Sequence, residues 1–356
     1  MSEEMLSIDL LWFVIVVAMF AVYAVLDGFV FGAGILYPFV ARTDAERRLV
    51  LNAIGPVWKS NEVWLVAGGG LLFLAFPKAF AAGFSGFYLA LNLVLWCLIL
   101  RGLSIAVRSR LDNPLWRSFW DAIFAVSSLL LALIFGVALG NVIRGVPLSP
   151  DGQFFAALWT TFTPGVQPGI LDWFTVLVGA LAVAILAVHG AHYLVLKTDA
   201  DVRIRASRIA GVGAWAVVFL AILTGLALLF VQSALWQRYV AHPVGFVLPL
   251  IAVVMWLTAL YCRRRRRDGA VFTSWCLCIL GLFGSVAWGL FPNLLMATED
   301  PSYSLTIYNS AASSYGLHVG LVWFGAGISL VLAYTAWVYL SFRGKAEQFS
   351  SEDSYE

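Results

Sequence analysis

The chain of 356 residues is 62% hydrophobic and only 12% charged, whereas soluble domains contain about 45–50% apolar and about 25% charged residues. This composition excludes a soluble globular protein, because a fold of this size could not keep so much apolar surface away from water. The net charge of +2 is too small to indicate a nucleic-acid partner. We therefore expect an all-α membrane protein whose apolar helices face lipid.

Apolar runs long enough to cross a membrane recur along the chain, since a spanning helix needs about 20 mostly apolar residues. In chain order they cover residues 8–36, 50–76, 79–106, 118–142, 171–196, 208–231, 244–262, 271–293 and 316–341. These runs predict about nine transmembrane helices in one polytopic domain over residues 1–342. We expect a first bundle over 8–142, a second over 171–293, and a final separate helix.

The basic residues of the connections lie almost entirely on one side of the predicted membrane. Of the 22 lysines and arginines, 17 fall on the side of the arginine run 263–267, and only three fall on the side of the two long connections, 145–170 and 294–315. Because basic loops stay in the cytoplasm, we expect the N-terminus outside and the C-terminus inside. We interpret the arginine run as a topology anchor rather than a nucleic-acid or anionic-lipid site.

The two ends of the chain are hydrophilic. The first apolar run follows Ser2-Glu3-Glu4 and lacks the positive region of a signal peptide, so no removable signal is expected. Residues 343–356 are expected to form a cytoplasmic acidic tail, which is serine-rich and disordered from Gln348.

Charged residues inside predicted membrane helices are costly and indicate function by default. Asp27 lies in the first helix, next to Gly28 and five residues before Gly32, which Gly34 follows. The spacing of Gly28 and Gly32 lets a neighbouring helix approach closely. A packing motif with one buried acid is the alternative interpretation.

Lys59 and Glu62 lie in the second predicted helix at a spacing of three, so they share a face. Counted along one continuous helix, Lys59 is roughly eleven residues past Arg48 and about 16 Å deep at 1.5 Å per residue. The functional interpretation is a titratable site in the membrane. The alternative is a Lys–Glu pair that neutralises itself.

Two other charges have an ordinary explanation near the membrane surface. Arg101 is one to two turns from Arg108 and can reach the interface by snorkelling. Asp121 is one turn from Arg117 and is flanked by tryptophans, which favours an interfacial position.

Histidines are candidate haem ligands in a membrane protein. His189 and His192 share a face of the fifth predicted helix near its basic end, whereas His318 begins the last helix at the opposite surface. Because a membrane cytochrome b needs ligands from opposing helices, we disfavour His189 and His192 as haem ligands. The four cysteines lie in or beside apolar runs and are interpreted as small buried residues, so no metal site is expected.

Several short motifs occur in order along the chain and are densest in the first four helices. They are Asp27-Gly28-Phe29 with Gly32 and Gly34, Pro56-x-Trp58 with Asn61 and Val63-Trp64-Leu65, Ala82-x-Phe84-Ser85-Gly86-Phe87-Tyr88, Trp116-Arg117-x-x-Trp120-Asp121, Gly136-Val137-Ala138-x-Gly140-Asn141 and Tyr334-Thr335-Ala336-Trp337. As a set they resemble subunit II of the cytochrome bd-type quinol oxidases, bacterial terminal oxidases that reduce oxygen to water.

This resemblance implies a haem-free subunit that packs as a pseudo-symmetric partner against subunit I, which carries haems b and d and the quinol site. It implies the bacterial cytoplasmic (inner) membrane, with lipids and quinone as neighbours and small single-helix accessory subunits in some complexes. In some relatives subunit II contributes a proton route, an oxygen route or a bound structural quinone. A secondary transporter, which midplane charges and glycine-interrupted helices also fit, and a purely structural scaffold remain as alternatives.

One position departs from the resemblance. Relatives commonly carry an acidic residue directly after the tryptophan that matches Trp58, and that acid is implicated in proton uptake, whereas this chain has Lys59. We expect Asp27 and Glu62, modulated by Lys59, to form a proton-relay or charge-balancing cluster. The structural or interface candidates are Gly28, Gly32, Trp58, Asn61, Trp64, Gly83, Gly86 and Arg101.

Overall fold

The computed structural model describes residues 7–346, which are mostly helical. The helices are α1 (Ile8–Leu26), α2 (Gly28–Val40), α3 (Asp44–Ile54), α4 (Trp58–Ala75), α5 (Pro77–Gly86), α6 (Tyr88–Val107), α7 (Pro114–Arg144), α8 (Trp173–Lys197), α9 (Ala200–Val231), α10 (Ser233–Ala241), α11 (Val247–Arg264), α12 (Asp268–Leu290) and α13 (Ser314–Ser341). Two short strands, β1 (Asn293–Leu295) and β2 (Leu305–Thr306), pair antiparallel. The predicted all-α membrane protein is confirmed, whereas the tail from Gln348 lies outside the described residues.

Eight helical stretches within residues 7–346 are long and apolar enough to cross a membrane. They correspond to eight of the predicted runs, so the count of nine is not confirmed. The exception is the run 50–76, where α4 opens with a polar turn that contains Lys59, Asn61 and Glu62. Since α4 packs against α1 and α13, a ninth span at α4 stays a prediction, as does the orientation of the termini.

Three of the predicted continuous helices are interrupted. The first is divided at Asp27, the second at residues 55–57, and the third at Phe87. Pro56 explains the second break, because proline has no N–H to continue a helical ladder. The depth expected for Lys59 by counting turns from Arg48 is therefore wrong: α3 and α4 are separate helices, and Lys59 lies in the first turn of α4.

Glycines set the closest helix contacts in the centre of the protein. A Cβ on Gly32 of α2 would collide with the Leu186 carbonyl and with the backbone of Gly190, both on α8. Gly86 similarly leaves room for the ring of Phe154, whereas a Cβ on Gly83 would meet no heavy atom within 4 Å. Close backbone approach through small residues is a main source of cohesion where lipid replaces water, so α2 and α8 form a tightly packed pair.

The two long connections on the side with few basic residues, 145–170 and 294–315, are joined by backbone hydrogen bonds. The Val146 amide donates to the Met296 carbonyl (2.9 Å), and the Thr298 amide donates to the Val146 carbonyl (3.0 Å). Beneath them, Arg144 at the end of α7 is paired with Asp172, the N-cap of α8, and both are buried. These contacts join the ends of α7 and α8 at that surface.

Candidate functional site

The break between α1 and α2 places Asp27 inside the helix bundle, where it is fully buried. The Val30 amide donates to the Asp27 carbonyl three residues back (2.9 Å) instead of to Leu26, which interrupts the regular ladder, and the Phe31 amide donates to the same carbonyl (3.0 Å). The Leu26 carbonyl instead accepts a hydrogen bond from Asn61 Nδ2 (2.6 Å). Because a buried carbonyl needs a partner, Asn61 of α4 stabilises the break that positions Asp27.

His189 has a similar role from α8. Its Nε2 lies 2.8 Å from the Val25 carbonyl, so Nε2 must carry the proton that it donates. The ring is fully buried and stacks on Phe272 with a centroid distance of 5.1 Å. His189 is therefore engaged with main chain at the α1–α2 break.

Arg101 of α6 binds the Asp27 carboxylate through two parallel hydrogen bonds of 3.1 and 2.9 Å. The expectation that Arg101 snorkels to the interface is wrong, since its side chain is 0% exposed, like that of Asp27. Its guanidinium also lies 4.5 Å from the centroid of the Phe31 ring. A bidentate, charge-assisted pair is the form in which two charges can be buried together.

Glu62 joins the same guanidinium. Its carboxylate accepts a 2.7 Å hydrogen bond from Arg101, and its side chain is 28% exposed, in contrast to that of Asp27. Asp27, Glu62 and Arg101 thus form one cluster, hereafter the acid–arginine cluster. It contains two carboxylates and one guanidinium, and only Glu62 reaches the surface of the chain.

Lys59 is near the acid–arginine cluster but does not pair with Glu62. Within residues 7–346 Lys59 forms no salt bridge, and its ammonium lies 5.5 Å from the centroid of the Trp58 ring. The side chain is exposed. The alternative interpretation, a self-neutralising Lys59–Glu62 pair, is therefore not found within residues 7–346, because Arg101 is the partner of Glu62.

The remaining candidates of α4 hold the helix in place. Asn61 Oδ1 accepts from the Tyr339 hydroxyl of α13 (3.0 Å), and the Trp58 ring packs where a side chain on Gly102 of α6 would lie. Trp64 is buried, and its indole N–H has no hydrogen-bond partner among the described residues. Gly28 leaves room for the Leu186 side chain of α8.

A second charged cluster lies at the basic ends of α6 and α7, and sequence reasoning missed it. The buried Asp121 accepts hydrogen bonds from Arg47, Arg108 and Tyr37, each 2.7 Å long. Asp121 is therefore not a simple interfacial acid, as expected from its tryptophan neighbours. The only signal was the arginine content of the adjacent connections, which does not show which arginine bonds to which acid.

Asp44 extends this second cluster to the surface helix α3. Arg108 also donates to Asp44 (2.8 Å), and Arg48 lies 2.9 Å from the same carboxylate. Burial acts to raise the pKa of Asp44, but the hydrogen bond from Arg108 and the charges of Arg108, Arg48 and Arg117 outweigh it, so the pKa is lowered. These ion pairs attach α3 to the ends of α6 and α7.

Side chains that bind metal ions do not cluster within residues 7–346. Within them no three His, Cys, Asp or Glu side chains are grouped so as to hold a metal ion. His192 is on the same helix as His189 and packs on Trp275 with a centroid distance of 5.4 Å.

Comparison with known proteins gives a consistent result. Residues 8–342 match the family model of cytochrome bd terminal oxidase subunit II. The probable cytochrome oxidase subunit 2 of Haemophilus influenzae is 32% identical over 95% of this chain and 94% of the relative. The cytochrome bd-I ubiquinol oxidase subunit 2 of Escherichia coli K12 is 31% identical, with 94% of each chain covered. The cytochrome bd ubiquinol oxidase subunit 2 of Bacillus subtilis is 29% identical over 95% of this chain and 97% of the relative.

The fold is also found in a solved structure. A chain of the bd oxidase from Geobacillus thermodenitrificans superimposes with a TM-score of 0.76 at 17% sequence identity. The alignment covers 96% of this chain and 100% of that chain.

Proposed function

The chain belongs to the family of cytochrome bd terminal oxidase subunit II, and from this premise we propose that it is the haem-free subunit that supplies a proton-exchanging site to the oxidase. As a member of this family it is a subunit of a respiratory terminal oxidase and a multi-pass protein of the bacterial inner membrane. The haems b and d and the quinol site belong, on this proposal, to the partner subunit I.

The observation that carries the proposal is the sharing of Arg101 by Asp27 and Glu62. With both acids ionised, two carboxylates and one guanidinium leave one negative charge, and a single proton makes the cluster neutral. Arg101 keeps both acids in place in either state, because it binds each of them directly. Glu62 is the partly exposed member, so it is the group that exchanges the proton, while the buried Asp27 holds Arg101.

The haem-free assignment is supported by the hydrogen bond that His189 forms with the main chain. The Nε2 of His189 donates its proton to the Val25 carbonyl, and the ring stacks on Phe272, while Nδ1 has no hydrogen-bond partner within residues 7–346. A haem ligand needs an imidazole nitrogen aimed at the iron, so Nε2 is already used. Ligating iron through Nε2 would leave a buried carbonyl without a partner, at a cost of about 1–3 kcal/mol.

The face that packs against subunit I is proposed to be formed by α4, α5, α6 and α13. Helices that face lipid expose bulky apolar side chains, as Phe219 and Phe230 of α9 do here. The proposed face exposes such side chains too, for example Phe73 and Trp323. It also carries five glycines that have open space beside them, which are Gly69, Gly70, Gly83, Gly325 and Gly327. Small residues on a membrane surface favour close helix packing, and Lys59 and Glu62 lie on the same side of the chain in α4.

A secondary transporter and a purely structural role for the acid–arginine cluster are the two alternative functions. The broken helix at Asp27 also suits a secondary transporter, but the family of the chain favours the oxidase. A purely structural role for the acid–arginine cluster is the stronger competitor, since the Asp27–Arg101 pair is well satisfied. It predicts that changes in the cluster affect assembly and not turnover.

The test is the Glu62→Gln variant in the intact oxidase complex. An amide at this position can still accept the hydrogen bond from Arg101 but cannot release a proton. We expect normal haem content with slower quinol-driven oxygen consumption per haem. The control is Asp201→Asn, the same chemical change at an exposed acid of α9. Poor assembly with full turnover per haem in Glu62→Gln would support the structural role instead.

A further inference from the structure

A cavity of about 240 Å³ lies at the basic end of the helix bundle, between α3, the end of α8 and the segment that follows α13. It is far larger than the roughly 10–15 Å³ that one water requires. Its wall is apolar at Pro56 and Val57 and polar at Tyr193 of α8. Three cations also line it: Lys197 at the end of α8, and Arg343 and Lys345 after α13. The cavity thus combines an apolar wall with a charged rim.

The segment after α13 is fixed in place by Lys197, the last residue of α8. The Lys197 ammonium donates to the carbonyls of Phe342 (2.7 Å) and Gly344 (2.9 Å), and the Ala346 amide donates back to the Lys197 carbonyl (2.8 Å). An ammonium has three N–H groups, so one of them is not used by these two contacts. The rim is therefore an ordered part of the protein.

The rim carries more positive charge than the acidic residues of the described part of the chain neutralise. Lys345 is paired with Asp199. Arg343, in contrast, is exposed and forms neither a salt bridge nor a side-chain hydrogen bond within residues 7–346. The Lys197 ammonium donates only to carbonyl oxygens within residues 7–346. Two cations, Arg343 and Lys197, therefore face the cavity without a carboxylate partner among residues 7–346.

We infer that this cavity binds the phosphodiester headgroup of an anionic phospholipid. Basic pockets between membrane helices suit such headgroups, and a guanidinium matches the geometry of a phosphate. Arg343 supplies that guanidinium at the rim, the Lys197 ammonium supplies a point charge, and the apolar wall at Pro56 and Val57 accommodates the glycerol and upper acyl carbons. This site is separate from the acid–arginine cluster and does not depend on proton exchange there.

The test uses the purified oxidase complex in phosphatidylcholine nanodiscs that contain a photoreactive phosphatidylglycerol. Labelling is quantified by mass spectrometry on the peptides that contain Pro56 or Phe342. We expect these peptides to be labelled, and Arg343→Gln to weaken the labelling about fivefold, as the loss of one basic side chain near an anionic headgroup predicts. The matched control is Arg264→Gln, which removes an exposed arginine from the end of α11 and should leave the labelling unchanged.

Several results would overturn the inference. Equal labelling by a photoreactive phosphatidylcholine would show that the cavity does not select an anionic headgroup. Loss of labelling on addition of inorganic phosphate, at the concentration of the lipid, would assign the cavity to free phosphate. Labelling that appears only after removal of residues 347–356 would assign it to the acidic tail of the chain itself. Equal effects of Arg343→Gln and Arg264→Gln would remove Arg343 from the site.

Discussion

Arg101 and Asp27, which are 74 positions apart in the chain, form a doubly hydrogen-bonded ion pair that is completely buried. Glu62 is a third member through the same guanidinium. This relationship joins α6 to the break between α1 and α2.

The first prediction concerns the pair itself. Arg101→Gln should destabilise the protein by about 3–5 kcal/mol, because it leaves the buried Asp27 carboxylate without its cation. The yield of assembled oxidase and its thermal unfolding measure this effect. Asp27→Asn combined with Arg101→Gln removes both charges and should recover much of the loss. A double variant as unstable as Arg101→Gln alone would show that the pair is not the source of the effect.

The second prediction separates a structural histidine from a haem ligand. His189→Ala removes the donor to the Val25 carbonyl and should cost about 1–3 kcal/mol for an unsatisfied buried acceptor, in addition to the lost packing on Phe272. The haem spectrum per assembled complex should be unchanged. Loss of one haem signal in the complexes that still assemble would make His189 a ligand and would contradict the haem-free assignment.

The third prediction concerns the glycine contact between α2 and α8. Gly32→Leu forces a side chain into the Leu186 carbonyl and the Gly190 backbone. It should destabilise the folded protein by more than the roughly 1–3 kcal/mol of ordinary overpacking, and so lower the yield of folded complex. Gly225→Leu is the matched control, because a Cβ there meets no heavy atom within 4 Å. Similar yields for the two variants would show that the α2–α8 contact is not needed for assembly.

The fourth prediction is a pH dependence at α3. The pKa of Glu46 is lowered, since hydrogen bonds from the Arg42 amide and from Arg205 outweigh the effect of burial, and the pKa of Asp44 is lowered as described above. A carboxylate with a lowered pKa in the folded state contributes stability above its unfolded pKa, about 3.9 for Asp and 4.3 for Glu, and loses it as the pH falls through the folded value.

Amide hydrogen exchange of α3 measures this dependence. Protection of α3 should fall below about pH 4, near the unfolded values of Asp and Glu. The double variant Asp44→Asn/Glu46→Gln should show weaker protection at neutral pH and a flatter response to acid. An acid response that is the same in the variant and in the unchanged protein would assign it to other groups.

The membrane helices were largely predictable, because each is an apolar run bounded by polar connections. The breaks at Asp27 and Phe87 were not, since apolar composition continues across both and hydropathy does not detect an interrupted hydrogen-bond ladder. The Asp27-Gly28 step was a local signal, but a glycine beside an acid also fits an unbroken packing face. The break becomes visible only with Asn61 and His189, which bind the freed carbonyls from two other helices.

The sequence predicts which residues of the acid–arginine cluster matter better than it predicts which of them form ion pairs. Asp27 and Glu62 were singled out because charge is costly in a membrane. Helical spacing then favoured Lys59 as the partner of Glu62, whereas the structure pairs Glu62 with Arg101 on another helix. Spacing rules apply within one helix, so they could not show this contact or the one between Arg108 and Asp121.

The central claim is that Glu62 takes up and releases a proton as the oxidase turns over. Infrared difference spectroscopy of the intact complex, between its reduced and oxidised states, observes the protonated carboxyl group directly. We predict a carboxyl band that is present in the unchanged complex and in the Asp201→Asn control, and absent from Glu62→Gln at equal haem content. A carboxyl band that persists unchanged in Glu62→Gln, or no such band in the unchanged complex, would contradict the claim.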